Sequence, residues 1–562
     1  MIDYKGNPFY LGDSDVEWVE NTYKNMSLDE RIGQLFCPIV FTKDEKELKL
    51  LLEEKAPGGI LYREGPGGEL YDAHLFLQEN SKIPLLTASN LEYGGNGSAD
   101  EGTYYGSHML VAATDNKDRA YQLGYVACSE GAKVGVNWSF APVADLDFNY
   151  HNPIENVRTF GSDKKKVVEY CKEYLRGAKD AGLATSVKHF PGDGVDERDQ
   201  HLLTSVNTLT KEEWDETYGQ IYTELIEAGT LTIMTAHIAL PAYEEFFDGE
   251  EQKQIVPASL SKNLLIKLLR EQLGFNGLIT TDATPMMGFC SAMKREDAVP
   301  LSIENGCDVF LFNKNMDEDW AFMKAGYEKG LLSETRLEEA VKRILATKAA
   351  LKLHEKQKNH TLLPPREQLK ELNNPTFDAW ARECADEGVT LVKDTVSLLP
   401  LSVEKHKRVL LEILGDFDSN ERVTKRMKEH LEKEGFEVTV YEKEGFEVLE
   451  QTVNGFKSQY DLVLYVANVE TVSNRTTARI QWHSMFGLGN NMPWMANEMP
   501  CAFISLGNPY HLLDVPMIHT YVNGYCNSDY VMDACLEKLM GRSPFKGISP
   551  VDAFCGRKEL AY

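Results

Sequence analysis

The sequence is poor in the features that would tie it to nucleic acid, a membrane, a disulfide framework or a metal. Basic residues are outnumbered: 59 Lys and Arg against 87 Asp and Glu give a formal net charge of −28 at pH 7. That is the wrong sign for a phosphate backbone or an anionic lipid surface. No run of 18 apolar residues occurs, so no membrane span is expected. The ten cysteines, from Cys37 to Cys555, include no C-x-x-C pair, which points to reduced thiols rather than a zinc site or a disulfide scaffold. The opening stretch MIDYKGNPFYLGDSD lacks a basic region followed by an apolar one. No secretory signal is therefore expected, and the cytoplasm is the expected compartment. H-x-H and H-E-x-x-H groupings are missing, and EYGGNG and SLGNP lack the spacing of a dinucleotide or Walker loop. No metal or organic cofactor is expected on those grounds.

What is present is a soluble composition, 43% hydrophobic and 26% charged over 562 residues, long enough for two or three domains. Eight short apolar runs recur in the first 315 residues: 33–40, 58–63, 84–90, 137–143, 183–190, 230–238, 277–283 and 307–312. Amphipathic helical patterns separate them, as in SKNLLIKLLREQL, where Leu264, Leu265, Leu268, Leu269 and Leu273 share a face at helical spacing. Continuous apolar strands alternating with helices predict a parallel sheet covered on both faces. Eight of them predict an N-terminal (β/α)8 TIM-like barrel, with a doubly wound open sheet as the alternative. The barrel is expected over 1–355. A polar linker and connecting helix follow over 356–384, and a C-terminal α/β three-layer sandwich over 385–562.

A barrel demands reactive side chains at the C-terminal ends of its strands, and five of these runs end in polar clusters. The fifth ends in KHFPGDGVDERDQH. There Asp199 and His201, two apart, can join so that the carboxylate takes the imidazole Nδ1–H and leaves Nε2 to move a proton. Asp282 ends the seventh, GLITTD, where a carboxylate must be hydrogen-bonded or functional. A nucleophilic carboxylate facing a proton donor is what glycoside cleavage requires. Asn90, Asp145, Arg158, Lys188 and His189 can supply polar contacts to a hydroxyl-rich ligand. Other readings compete: a solvated D-x-H loop, a helix-capping Asp282, a non-catalytic sugar-binding protein, or a metal-dependent barrel hydrolase using His189, His201, His237 and Asp282.

The motifs resemble glycoside hydrolase family 3, in its bacterial β-N-acetylglucosaminidase branch. KHFPGDGVDERDQH is similar to the branch's K-H-F-P-G-H-G-x5-D-S-H loop, NVRTFGSD to its R-S-F-G-x-D segment, and PASLSKNLLIKLLREQLGFNGLITTDA to the stretch leading to its nucleophile. The resemblance implies a retaining exo-β-N-acetylglucosaminidase, with Asp282 as nucleophile, His201 as acid/base and Asp199 as its orienting partner. Asn90, Glu92, Asp145, Arg158, Lys188, His189, His237 and Met286 would line the sugar site. A carbohydrate substrate, no cofactor, and a monomer or homodimer are implied with it. Departures are visible: Asn90 stands where the branch has an aspartate, Tyr93 is inserted, an arginine is missing, and Asp193 replaces a histidine. A histidine acid/base also admits the alternative of a β-N-acetylglucosaminide or β-glucoside phosphorylase, since an imidazole does not repel phosphate. The acidic Asp193, Asp196 and Glu197 lean the expectation toward water.

Overall fold

All eight apolar runs of the N-terminal half fold as parallel strands: β1 (Phe36–Cys37), β2 (Gly59–Leu61), β3 (Leu86–Ser89), β4 (Trp138–Ser139), β5 (Ala184–Phe190), β6 (Thr232–Thr235), β7 (Leu278–Thr281) and β8 (Phe310–Leu311). The computed structural model describes residues 2–249, 255–415, 417–442, 451–485, 488–489 and 491–562. β2 to β7 form one continuous parallel ladder, and β1 pairs with β8. Single bridges, Ile39 to Leu61 and Thr280 to Val309, adjoin that pair. The sheet is thus a curled half-barrel where an eight-stranded TIM-like ladder was expected. β1 and β8, two residues each, ladder only with one another and meet β2 and β7 through those single bridges. Every residue of β5, β6 and β7 is buried, which accounts for their unbroken apolar sequence.

Helices cover the strands. In Lys164–Asp180, Asp163 caps the N-terminus by accepting the Lys165 and Lys166 N–H groups, and Val167, Cys171, Tyr174 and Ala178 are buried. The leucine-rich segment is wound as a π-helix, Asn263–Gln272. Its wider turn keeps Leu264, Leu265, Leu268 and Leu269 in the core but moves Leu273 to a half-buried position.

β7 is fixed at its base by a buried ion cluster. Asp308 holds Arg270 and Arg336 at 2.6 Å each, and accepts the Ile279 N–H at 2.8 Å. Burial pushes the Asp308 carboxyl up, and the facing arginines bring it below its ordinary value. Removing one partner of a buried pair strands the others. Asp308→Ala is expected to cost about 3–5 kcal/mol of stability, read as a lowered denaturant midpoint.

Contacts divide the chain into two compact units, and the division is not linear. The first comprises Met1–Tyr105, Ala120–Asn149 and Asp163–Asp378; the second comprises Gly106–Arg119, Tyr150–Ser162 and Ala379–Tyr562. The expected boundary at 355 therefore moves to 378/379, inside the helix Pro375–Gly388, and two segments of the expected barrel belong to the second unit. Polar bonds hold them there: Arg119 meets Glu387 at 2.7 Å and Glu383 at 3.0 Å, and Ile548 N–H donates to Ala113 O at 2.9 Å. The second unit carries β9 (Thr390–Asp394), β10 (Arg408–Leu414), β11 (Glu437–Val440), β12 (Leu462–Ala467), β13 (Cys501–Ser505) and β14 (Thr520–Asn523). Their order is β9-β14-β13-β12-β10-β11, parallel except for the edge strand β9. Tyr465, Phe503 and Tyr521 stack across β12, β13 and β14 in the core, with centroids 6.1 and 5.2 Å apart.

Candidate active site

β5 delivers two bases to the C-terminal end of the curled sheet, and each meets an acid from an earlier strand end. Lys188 Nζ lies 2.5 Å from Glu92 Oε1, past the end of β3, and both side chains are buried. His189 Nδ1 lies 2.6 Å from Asp145 Oδ2, past the end of β4. The carboxylate can only accept, so Nδ1 carries the proton. Pairing brings these partners together: Ala144 N–H donates to Lys188 O at 2.7 Å, setting the β4 end beside β5. Asp145 also accepts the backbone N–H groups of His189 and of Asp193, the latter at 2.7 Å. Asn90 follows β3 and is half-buried.

The loop after β5 carries the D-x-H pair in the predicted arrangement. His201 Nδ1 is 2.6 Å from Asp199 Oδ1, and the His201 N–H donates to the same oxygen at 2.8 Å. Asp199 is buried, while the His201 side chain is 25% exposed. The carboxylate therefore fixes the tautomer and the ring keeps access to a reactant. The other acids of this loop differ from expectation. Asp196 is neutralised by the Arg198 guanidinium, with bonds of 2.7–2.9 Å, and it also accepts the Val206 N–H. Asp193 is buried, with Oδ1 accepting the Gly194 N–H at 2.7 Å. Of the three acids that leaned the sequence toward water as acceptor, Asp196 thus meets a cation within the loop.

Asp282 follows the last residue of β7, and its N–H donates to Thr235 O on β6 at 2.7 Å. Oδ1 accepts the Ala283 N–H at 2.7 Å. Burial pushes this carboxyl up, and His189, His237, His201 and the Ala283 N–H bring it below its ordinary value. It is a half-buried carboxylate rather than a helix cap: the next helix, Met287–Cys290, starts at Met286 without a side-chain cap.

His237 does not present a ring nitrogen to a sugar or a metal. Burial lowers it to about 4, against the pull of Asp282. The neutral ring donates Nε2–H to Ala283 O at 3.0 Å and accepts the Ser259 hydroxyl at Nδ1, 2.8 Å away. Both nitrogens are spent on the fold, so its expected place among the sugar ligands becomes one of support. For the same reason His189, His201, His237 and Asp282 do not form the ligand set of the metal reading, and among the described residues they do not group as one. Met286 is buried at the turn after Asp282. Arg158 belongs to the second unit, where it donates to Ile154 O and to Glu155 Oε1; its assignment to sugar rests on the resemblance alone. The strand ends ANVE and SLGN of the second unit are packed by protein, Asn468 on Asn420 at 2.7 Å and Asn508 on Ala478 O at 2.8 Å.

Sequence reasoning missed Gln200 and Ser259. No motif marks either of them, and only their bonds to His237 reveal them.

The glycosyl hydrolase family 3 N-terminal domain matches residues 27–347. A beta-N-acetylglucosaminidase/beta-glucosidase of Cellulomonas fimi is 42% identical over 99% of both chains. A solved structure described as beta-glucoside phosphorylase BglX bound to 2FGlc superposes with a TM-score of 0.94 at 42% identity, covering 99% of this chain and 100% of that one. A family 3 beta-N-acetylglucosaminidase from Paenibacillus sp. str. FPU-7 shares the fold at 22% identity, with a TM-score of 0.75 over 94% of this chain and 99% of that one. With the family domain matched over more than half its length and a full-length relative at 42% identity, this chain belongs to glycoside hydrolase family 3.

Proposed function

We propose that the protein is a retaining exo-β-glycosidase acting on a terminal β-linked N-acetylglucosamine, with glucose as a secondary substrate. The observation that carries this reading is the Asp199–His201 pair, with its partly exposed ring, on a loop bonded to the turn that follows the half-buried carboxylate Asp282. In the first step an Asp282 oxygen bonds to the anomeric carbon while His201 Nε2–H gives its proton to the departing oxygen. In the second step neutral His201 takes a proton from the acceptor as that acceptor breaks the glycosyl–Asp282 ester, giving net retention. Lys188, set by Glu92, offers N–H donors to sugar hydroxyls. The Cellulomonas relative, which carries both activities in its name, supports the two sugars.

A second reading concerns the acceptor. The phosphorylase at 42% identity, together with the pairing of Asp196 to Arg198, favours inorganic phosphate over water in the second step. The test is to incubate the protein with an aryl β-N-acetylglucosaminide and the matching glucoside, with and without phosphate, and to identify products by NMR. Cleavage of both with a β-configured first product is expected, and sugar 1-phosphate replacing free sugar would identify phosphate as the acceptor. An inverted product, or loss of activity on chelation, would sink the mechanism.

A further inference from the structure

Gln200 stands between Asp199 and His201, yet its side chain is 1% exposed and points into the protein rather than toward a reactant. Its Oε1 accepts the His237 N–H at 2.8 Å. From His237 the bonds continue to the nucleophile candidate: Nε2–H donates to Ala283 O, and the Ala283 N–H donates to Asp282 Oδ1. On the backbone side, Gln200 O accepts the Gly288 N–H at 3.1 Å and His201 O accepts the Met287 N–H at 3.0 Å. The Thr204 hydroxyl adds a bond to Gly288 O at 2.9 Å. The approach is close enough to need a glycine. A Cβ on Gly288 would lie 2.7 Å from Gln200 O and 2.8 Å from His237 Cβ.

We propose that Gln200 is a positioning residue that sets the separation between His201 and Asp282. It does so by latching the acid/base loop to the end of β6 and to the turn after β7. This rests on the roles given to His201 and Asp282 above. The latch consists of protein groups alone, so the proton donor is placed before the substrate arrives. Its energetic logic is preorganisation: a displacement of about 1 Å at a proton-transfer site costs up to about 100-fold in rate. Glutamine fits the position because it reaches the His237 N–H from a loop backbone already committed to Gly288 and Met287.

The test uses the full chain and three variants. Gln200→Met keeps the length of the side chain and removes the acceptor; Gly288→Ala pushes the same loop from the other side. Both are expected to lower kcat/KM for an alkyl β-glycoside by about tenfold or more, and to leave an activated aryl glycoside within about threefold. The inhibition constant of free N-acetylglucosamine should stay within about twofold, because the sugar contacts lie elsewhere. His201→Ala is run alongside. If it shows the leaving-group dependence and the two latch variants do not, the latch is wrong and the catalytic reading stands. If His201→Ala shows none either, both fall together. An equal loss on both substrates, with weakened sugar binding, would mark Gln200 as a mere packing residue.

Discussion

Asp282→Asn is expected to stop turnover with every leaving group, lowering kcat by on the order of 10^4-fold or more. The amide has the same shape, and its oxygen can still take the Ala283 N–H that Asp282 accepts at 2.7 Å. Folding should therefore survive, as circular dichroism and an unchanged elution volume would show. What is lost is the oxygen that bonds to the anomeric carbon, and a good leaving group cannot replace it. Near-normal turnover with an aryl glycoside would remove the assignment. The wild-type pH profile gives an independent check. The carboxyl of Asp282 lies below its ordinary value, so its ionised form persists as pH falls until the lowered value is crossed. The acid limb of kcat/KM attributable to it should then begin below about pH 4.

His201→Ala is expected to act on only one class of substrate in the first step. For an alkyl or sugar aglycone, whose oxygen must be protonated to leave, kcat/KM should fall by about 10^2- to 10^4-fold. For a nitrophenyl aglycone the fall should be about tenfold or less, because the phenolate departs unaided. The second step has also lost its base, so the activated substrate should show a burst of phenolate followed by a slow steady state. Asp199→Asn should give a milder version of the same pattern, since the amide can present its N–H to Nδ1 and favour the wrong tautomer. Rapid-mixing absorbance separates burst from steady state. Equal losses in kcat/KM for both leaving groups would show that His201 binds sugar instead of moving a proton.

The strand pattern and the two reactive elements were legible because they depend on local rules. Continuous apolar runs gave all eight strands, and a two-residue spacing was enough to place Asp199 against His201. Less of the rest could be read. The ladder stops at six strands because β1 and β8 pair with each other and only bridge to β2 and β7, a pairing that hydrophobicity alone does not reveal. The segments Gly106–Arg119 and Tyr150–Ser162 belong to the second unit through long-range bonds such as Ile548 to Ala113. No composition shift marks them. His237 was read by residue type as a ligand, but its burial and its bonds to Ser259 and Ala283 decide otherwise. Asp193 and Asp196 were counted as charges, and the burial of the one and the pairing of the other with Arg198 are visible only in three dimensions.

Glu92, Asp145 and Asp199 are each held by a base at 2.5–2.6 Å: Lys188, His189 and His201. Asp282 is held at contact distance by a backbone N–H, with imidazoles acting from further away. The electrostatic consequence is selectivity along the reaction coordinate. A neutral glycoside in its ground state gains little from a carboxylate that, among the described residues, is bonded by a backbone N–H rather than by a cation at contact distance. The same carboxylate strongly favours the sugar once its ring oxygen and anomeric carbon become positive. The other three acids are each tied by a bond of 2.5–2.6 Å to their own base, so in the proposed mechanism Asp282 is the carboxylate that meets this charge where the bond is breaking.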